Sequence, residues 1–295
     1  MRTRGRSYSM MVWIASAAEM PMTPPGGFWR SRRGQGRTGN HCLHWIRGPM
    51  LSASSRGVVR NALNVTIPPM VITIDGPAGT GKSTVSRAVA ERLGFQFLDT
   101  GAMYRAVGLA ALRREVPLDR PRELAFVADH ARVEFDWSKR PPGVLLNGEP
   151  VGHLLRGKEA TDAAKYVAQV PAIRAKLVEE QRRIGNERGN MVTEGRDQGS
   201  VVFPDAPFKF YLTATPEERA HRRARELRAR GEIVDEKEIL QQIMDRDERD
   251  RSRSVGPLAI PDGADVIDTT TLTMDEVVDQ IVNKVESARL GRVGT

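Results

Sequence analysis

Gly76 and the run Gly81-Lys82-Ser83 stand in the spacing Gly-x4-Gly-Lys-Ser within IDGPAGTGKST. Glycines at such intervals let a backbone curl until several N–H groups face one anion. A helix beginning there adds the positive end of its dipole. Lys82 can reach the outer phosphates of a nucleoside triphosphate, and the Ser83 hydroxyl can ligate Mg2+. The stretch Gly76, Pro77, Ala78, Gly79, Thr80, Gly81, Lys82, Ser83 and Thr84 therefore reads as a triphosphate cradle. A chance glycine-rich turn would lack these flanks. VITID before it is β-branched, like a buried parallel strand, and Val85, Val89 and Leu93 after it fall on one helical stripe. The spacing alone does not separate a GTPase, an ATPase motor and a small-molecule kinase.

Four other stretches carry charge where a fold rarely needs it. DTGAMYR places Tyr104 and Arg105 one helical turn beyond Thr100. EGRDQG ends an expected buried strand with Glu194, Arg196 and Asp197. In open α/β sheets such strand ends face the ligand crevice, and charges there must be compensated. PAIR brings Arg174, and RDERDRSR holds Arg246, Asp250 and Arg253 at i, i+4 and i+7, one helical face. Taken alone, that last run also fits a solvated, ion-paired surface.

The elements that must position these residues follow from pattern. After the strand at 71–75 and its helix come a short strand at 95–98, a helix over DTGAMYRAVGLAALRR and another over 121–132. ARVEFDW, GVLLNG and EPV alternate like an antiparallel insert, with Asn147-Gly148 as its hairpin turn. Pro171 opens a helix to about Arg188. NMVTEGRDQG and FKFYLT supply the third and fourth parallel strands. Thr215-Pro216-Glu217-Glu218 is a capping box that starts a helix over 216–230. A second charged helix spans roughly 236–253, ADVIDT is the last strand, and a helix over 274–288 is capped by Thr273 and Glu276. Alternation of this kind gives an α/β sheet with helices on both faces.

The chain's 295 residues carry a formal net charge of +8, but the basicity is local. Residues 1–69 hold ten arginines, no lysine and one acid, Glu19. Of 45 basic and 37 acidic residues in all, 35 and 36 remain for the other 226. The body is near neutral, so a polyanion partner would have to be met by the first segment. That segment has no sustained period and carries Trp13, Trp29 and Trp45 without an apolar pattern to bury them. It is expected to be a disordered or mis-assigned basic extension, with the working protein starting near Met70. A targeting peptide (Arg2, Arg4 and Arg6 precede MMVWIASAA) and a nucleic-acid-binding arm are the alternatives. The lone Cys42 cannot form an internal disulfide and suits a reducing compartment. No run of 18 apolar residues exists, so no membrane partner is expected.

IDGPAGTGKST, LDTGAMYR, EGRDQGSVVFPDAP, ERAHRR and RDERDRSR together closely resemble the bacterial cytidylate kinase family, in order, over about residues 70–288. The resemblance implies a P-loop nucleoside monophosphate kinase fold: a central parallel sheet, helices on both faces, a small antiparallel insert and a helical lid. The kinase domain would span 70–290, with a monophosphate-binding section at about 100–190 and the lid at about 216–254. The implied reaction is ATP + CMP ⇌ ADP + CDP with Mg2+, with dCMP also accepted, in a cytoplasmic monomer that does not engage nucleic acid.

Carried over from the family, the phosphate-binding arginines are Arg105, Arg196 and Arg253. The base-reading residues are Thr100, Arg174 and Asp197, the sugar-contacting pair is Arg246 and Asp250, and Tyr104 lines the pocket. Arg222 and Arg223 resemble lid arginines near the ATP. Lys165 stands where the family often has a sugar-contacting serine, which leaves the CMP versus dCMP preference open; it could equally reach a phosphate or point to solvent. Lys82, Arg105, Arg196 and Arg253 would neutralise the transferring phosphoryl group. Glu194 would orient a metal-bound water. No general base is assigned, because the attacking phosphate oxygen is already ionised.

The rival readings are a kinase of UMP or AMP, a P-loop GTPase and a nucleic-acid-binding protein using the basic segment. A GTPase would want Asn-Lys-x-Asp, and the nearest string is NKVE at 283–286, without the aspartate.

Overall fold

The computed structural model describes residues 70–293, and the expectations for residues 1–69 lie outside the described residues. From Met70 the chain runs β1 (Val71–Asp75), α1 (Lys82–Leu93), β2 (Gln96–Asp99), α2 (Thr100–Arg113), α3 (Pro121–His130), β3 (Val133–Asp136), β4 (Gly143–Leu146), β5 (Glu149–Pro150), α4 (Lys158–Val167), α5 (Pro171–Arg188), β6 (Met191–Glu194), one π turn (Gln198–Val202), β7 (Phe208–Thr213), α6 (Pro216–Ala229), α7 (Glu236–Arg251), β8 (Asp265–Asp268) and α8 (Met274–Val293).

The five parallel strands are ordered β2-β6-β1-β7-β8. Strands buried in a parallel sheet need an apolar face toward the helices that cover it. Ile72, Ile74, Val192, Phe210 and Leu212 accordingly pack with Val85 and Val89 of α1 and Val277, Val278, Ile281 and Val285 of α8. A second core joins Leu98 and Met191 to α2, α3, α5 and the insert, through Met103, Leu124, Ile173, Leu177, Val144 and Leu146. The insert is the antiparallel sheet β3-β4-β5. Asn147 and Gly148 both have positive φ (53° and 84°) between the paired Leu146 and Glu149, as a two-residue hairpin of this twist requires.

A third, small core of Ala220, Ala224, Ile239 and Ile243 belongs to α6 and α7. Gly231 links these helices at φ 81°. The Thr215 hydroxyl caps α6 by accepting the Glu218 N–H at 3.3 Å, but the Glu218 carboxylate takes Arg222 rather than completing a capping box. At α8 the box is complete. The Thr273 N–H donates to Glu276 at 2.8 Å, and the Glu276 N–H returns to the Thr273 hydroxyl at 3.3 Å.

Three further features depart from the sequence expectation. Helix α4 was not foreseen, although its buried Ala160, Ala163 and Val167 recur at helical spacing. It packs closely on α2, where a Cβ added at Gly108 would lie 2.9 Å from that of Ala163. The expected third strand stops at Glu194 rather than running to residue 199, and the chain turns through Arg196 and Asp197 into the π turn. Helix α7 also ends at Arg251, two residues short of the expected boundary.

Candidate active site

The cradle hangs from the carboxyl end of β1. Gly76 has φ 141°, and a Cβ there would lie 2.0 Å from the Leu212 carbonyl oxygen, so only glycine lets the chain cross β7 at that point. Gly81 then precedes α1 in the left-handed region. Lys82, the first helical residue, is buried and donates from Nζ to the Pro77 carbonyl at 2.6 Å, across the loop. Burial, then the nearby Arg196, push its pKa well below the usual lysine range. The Ser83 hydroxyl donates to the Glu194 carboxylate. Burial, then Asp99, push the Glu194 carboxyl up, against the pull of Lys82 and Ser83.

The strand register brings the second group of residues next to this loop. Glu194 pairs with Ile74 of β1 on one side and Asp99 of β2 on the other. The chain leaving β6 therefore delivers Arg196 and Asp197 beside the loop leaving β1. Arg196 Nε donates to Asp250 at 2.9 Å, and Arg253 pairs with the other oxygen of the same carboxylate. Burial pushes Asp250 up, but Arg196, Arg253 and Arg246 outweigh it and hold the carboxyl below its usual range. Arg246 and Asp250 lie on α7, whereas Arg253 reaches Asp250 from just beyond the helix end. Burial and then Arg196 lower Arg246 to about 10. Arg105 on α2 donates to Asp99 at 2.8 Å. It borders a cavity of about 340 Å³, shared with Phe135, Val144 and Arg156 of the insert region.

Deeper in, Arg174 of α5 and Asp197 form a buried ion pair, with side chains 3% and 7% exposed. The Arg174 guanidinium sits 5.7 Å from the Tyr104 ring centroid. Burial raises the Tyr104 phenol to about 12. Burial also raises Asp197, opposed by Arg174, Arg253 and Arg196. Gly256 lies so close to the pair that an added Cβ would be 2.0 Å from Arg174 and 2.2 Å from Asp197. Lys82, Arg105, Arg196, Arg246 and Arg253 thus converge on one region, and several depress one another. Such a cluster is stabilised by phosphate anions.

Some sequence candidates sit differently. Thr100 is buried, and its hydroxyl donates to the Glu194 carbonyl at 2.6 Å. Lys165 lies on α4 and pairs with Asp162; among the described residues it shares no ion pair or hydrogen bond with the other candidates. Arg222 bonds the Thr269 carbonyl at 2.5 Å, and the Thr269 hydroxyl in turn reaches the Thr80 carbonyl at 3.5 Å, so Arg222 borders the cradle. Arg223 is exposed and pairs with Glu226 at 3.0 Å.

Sequence reasoning missed Arg219 and Asp247. They form a buried ion pair at 2.7 Å, and Arg219 also donates to the Ala78 carbonyl of the cradle at 3.1 Å. The signal was present in ERAHRR and RDERDRSR, but a charge three positions from others of its kind reads as surface until its burial is known. Asp99, which caps α2 and pairs with Arg105, was also passed over.

A parallel sheet with a glycine cradle at one strand end and an arginine cluster at the next defines a P-loop kinase of the nucleoside monophosphate class. Residues 72–287 match the family model described as cytidylate kinase. A cytidylate kinase of Caldanaerobacter subterraneus subsp. tengcongensis is 43% identical over 231 residues, covering 78% of this chain and 100% of that one. One from Pelotomaculum thermopropionicum is 46% identical, covering 74% and 96%, and one from Vibrio cholerae is 44% identical with the same coverage. The chain belongs to the cytidylate kinase family.

Proposed function

We propose that this protein transfers the terminal phosphoryl group of ATP to CMP, giving ADP and CDP, and that dCMP is also accepted. The observation that carries this reading is the buried Arg174–Asp197 pair, set beside Tyr104 and next to Arg196 and Arg253. A carboxylate there accepts from the exocyclic N4 amine of cytosine, and the guanidinium donates toward N3. Uracil would present its O4 acceptor to the same carboxylate, at a cost of about 1–3 kcal/mol.

In the transfer, an oxygen of the CMP phosphate bonds to the γ-phosphorus of ATP, and the bond from that phosphorus to the β–γ bridging oxygen breaks. The protein's task is alignment and charge neutralisation. Lys82, Arg105, Arg196 and Arg253 take that role, Arg246 and Asp250 hold the sugar, and Arg222 and Arg223 act from the ATP side. The Ser83 hydroxyl beside the Glu194 carboxylate suits a hard, oxygen-preferring cation. Mg2+ held there would supply charge to the β- and γ-phosphates. Helices α6 and α7 act as a lid that excludes water from the γ-phosphate. The protein works as a cytoplasmic monomer.

The test is ADP and nucleoside diphosphate formation with a panel of CMP, dCMP, UMP and AMP. CMP should be used most efficiently. Preference for UMP or AMP, or no diphosphate from any acceptor, would overturn the reading.

A further inference from the structure

Asp75 is the last residue of β1, fully buried, and directly precedes Gly76 of the cradle. Its two carboxylate oxygens do not serve the cradle. One accepts the Gln198 N–H at 2.8 Å and the other the Gly199 N–H at 2.7 Å. Those amides open the π turn that follows Arg196 and Asp197 immediately. One side chain therefore joins the start of the ATP loop to the end of the loop that carries the monophosphate-binding residues.

The surroundings fit this bridge closely. A Cβ on Gly199 would lie 2.8 Å from the Thr73 hydroxyl and 3.0 Å from Pro261, so only glycine lets that backbone approach β1. Both polar atoms of the Gln198 side chain are hydrogen-bonded. It accepts from Thr193 at 2.8 Å and donates to Gln181 of α5 at 3.0 Å, the helix that carries Arg174. The pairing of β1 with β6 does not run through the bridge. Strands β1 and β6 are already paired from Val71–Met191 to Ile74–Glu194, and the Gly195 N–H donates to the Ile74 carbonyl beyond them.

We propose that Asp75 is a positioning residue that fixes the Arg196–Asp197 loop, and through Gln198 helix α5, against the triphosphate cradle. The two substrates are thereby held in register for transfer. This assignment rests on the function proposed above. Neutral asparagine retains one acceptor but turns an amide against the second N–H, so the loop must shift while the sheet stays paired.

The experiment compares wild type with Asp75→Asn in CMP-dependent transfer, in CMP-independent ATP hydrolysis and in ATP binding. A misplacement of the order of 1 Å costs about 100-fold in rate. A loss of that order is expected in kcat/KM for CMP, with ATP binding and basal hydrolysis little changed. A general structural defect would lower all three together, and that result, or wild-type transfer, would overturn the proposal. Hydrogen exchange on the wild-type protein tests the bridge without any variant: the Gln198 and Gly199 amides should exchange as slowly as the β1–β6 ladder, and fast exchange would overturn it. If the wild type prefers another monophosphate, the proposed substrate fails, but the same comparison on that acceptor still decides the role of Asp75.

Discussion

Arg219 and Asp247 pair at 2.7 Å with side chains 3% exposed each, and so tie α6 to α7. Because Arg219 also holds the Ala78 carbonyl, the helix pair is fastened to the phosphate loop itself. Removing one partner of a buried ion pair leaves the other charge uncompensated, which costs about 3–5 kcal/mol. Arg219→Met should lower stability by that order in chemical denaturation. Arg219→Met with Asp247→Leu should recover much of the loss. If the double variant is no better than the single one, the pair is not the source.

Lys82→Ala should abolish turnover while leaving the fold intact. The lysine is the cradle's one side-chain cation, and loss of a preorganised charge-stabilising donor costs about 100- to 1,000-fold in kcat. A coupled ADP assay reads this directly, and near-wild-type rates would contradict the phosphate role.

Asp197→Ala should lower kcat/KM for CMP far more than it weakens ATP binding, narrowing discrimination against UMP by about 1–3 kcal/mol. Equal losses for both substrates would argue against base reading. Acid should act in the same direction. Burial raises the Asp197 pKa, so on acidification this group takes up its proton before an ordinary aspartate would. A protonated carboxyl can donate to O4 of uracil, and the CMP:UMP ratio of kcat/KM should therefore fall with pH.

Asp75 links to stability in a defined window. Burial outweighs its two N–H bonds and raises its pKa from 3.8 to about 7. A carboxyl with a raised folded-state pKa binds more protons folded than unfolded, so its contribution to stability declines as pH rises between those values. The pH dependence of unfolding over that window should flatten in Asp75→Asn relative to wild type. An unchanged slope would show that the group titrates normally.

The cradle, the five parallel strands and the insert hairpin were legible because each rests on local chemistry: glycine conformation, β-branched runs and an Asn-Gly turn. The charged residues at and beyond the ends of β6 and α7 stood out by their placement, and the family resemblance added only their individual roles. Helix α4 carries a helical period, but small alanines on its buried face make a signal easily passed over beside longer apolar runs. Asp75, Arg219 and Asp247 were unreadable for another reason. A charged residue's meaning depends on what lies across from it, and their partners are 123, 141 and 28 positions away. The close approach of Gly256 to Arg174 is long-range in the same way.

The narrow alanine seam between α6 and α7 has an evolutionary corollary. Two helices with a small core of their own, joined through Gly231 and fastened to the loop by Arg219, form a unit that can be exchanged as a hairpin. Chimaeras exchanging this hairpin among relatives should assemble readily, provided the arginine that grips the loop travels with its aspartate.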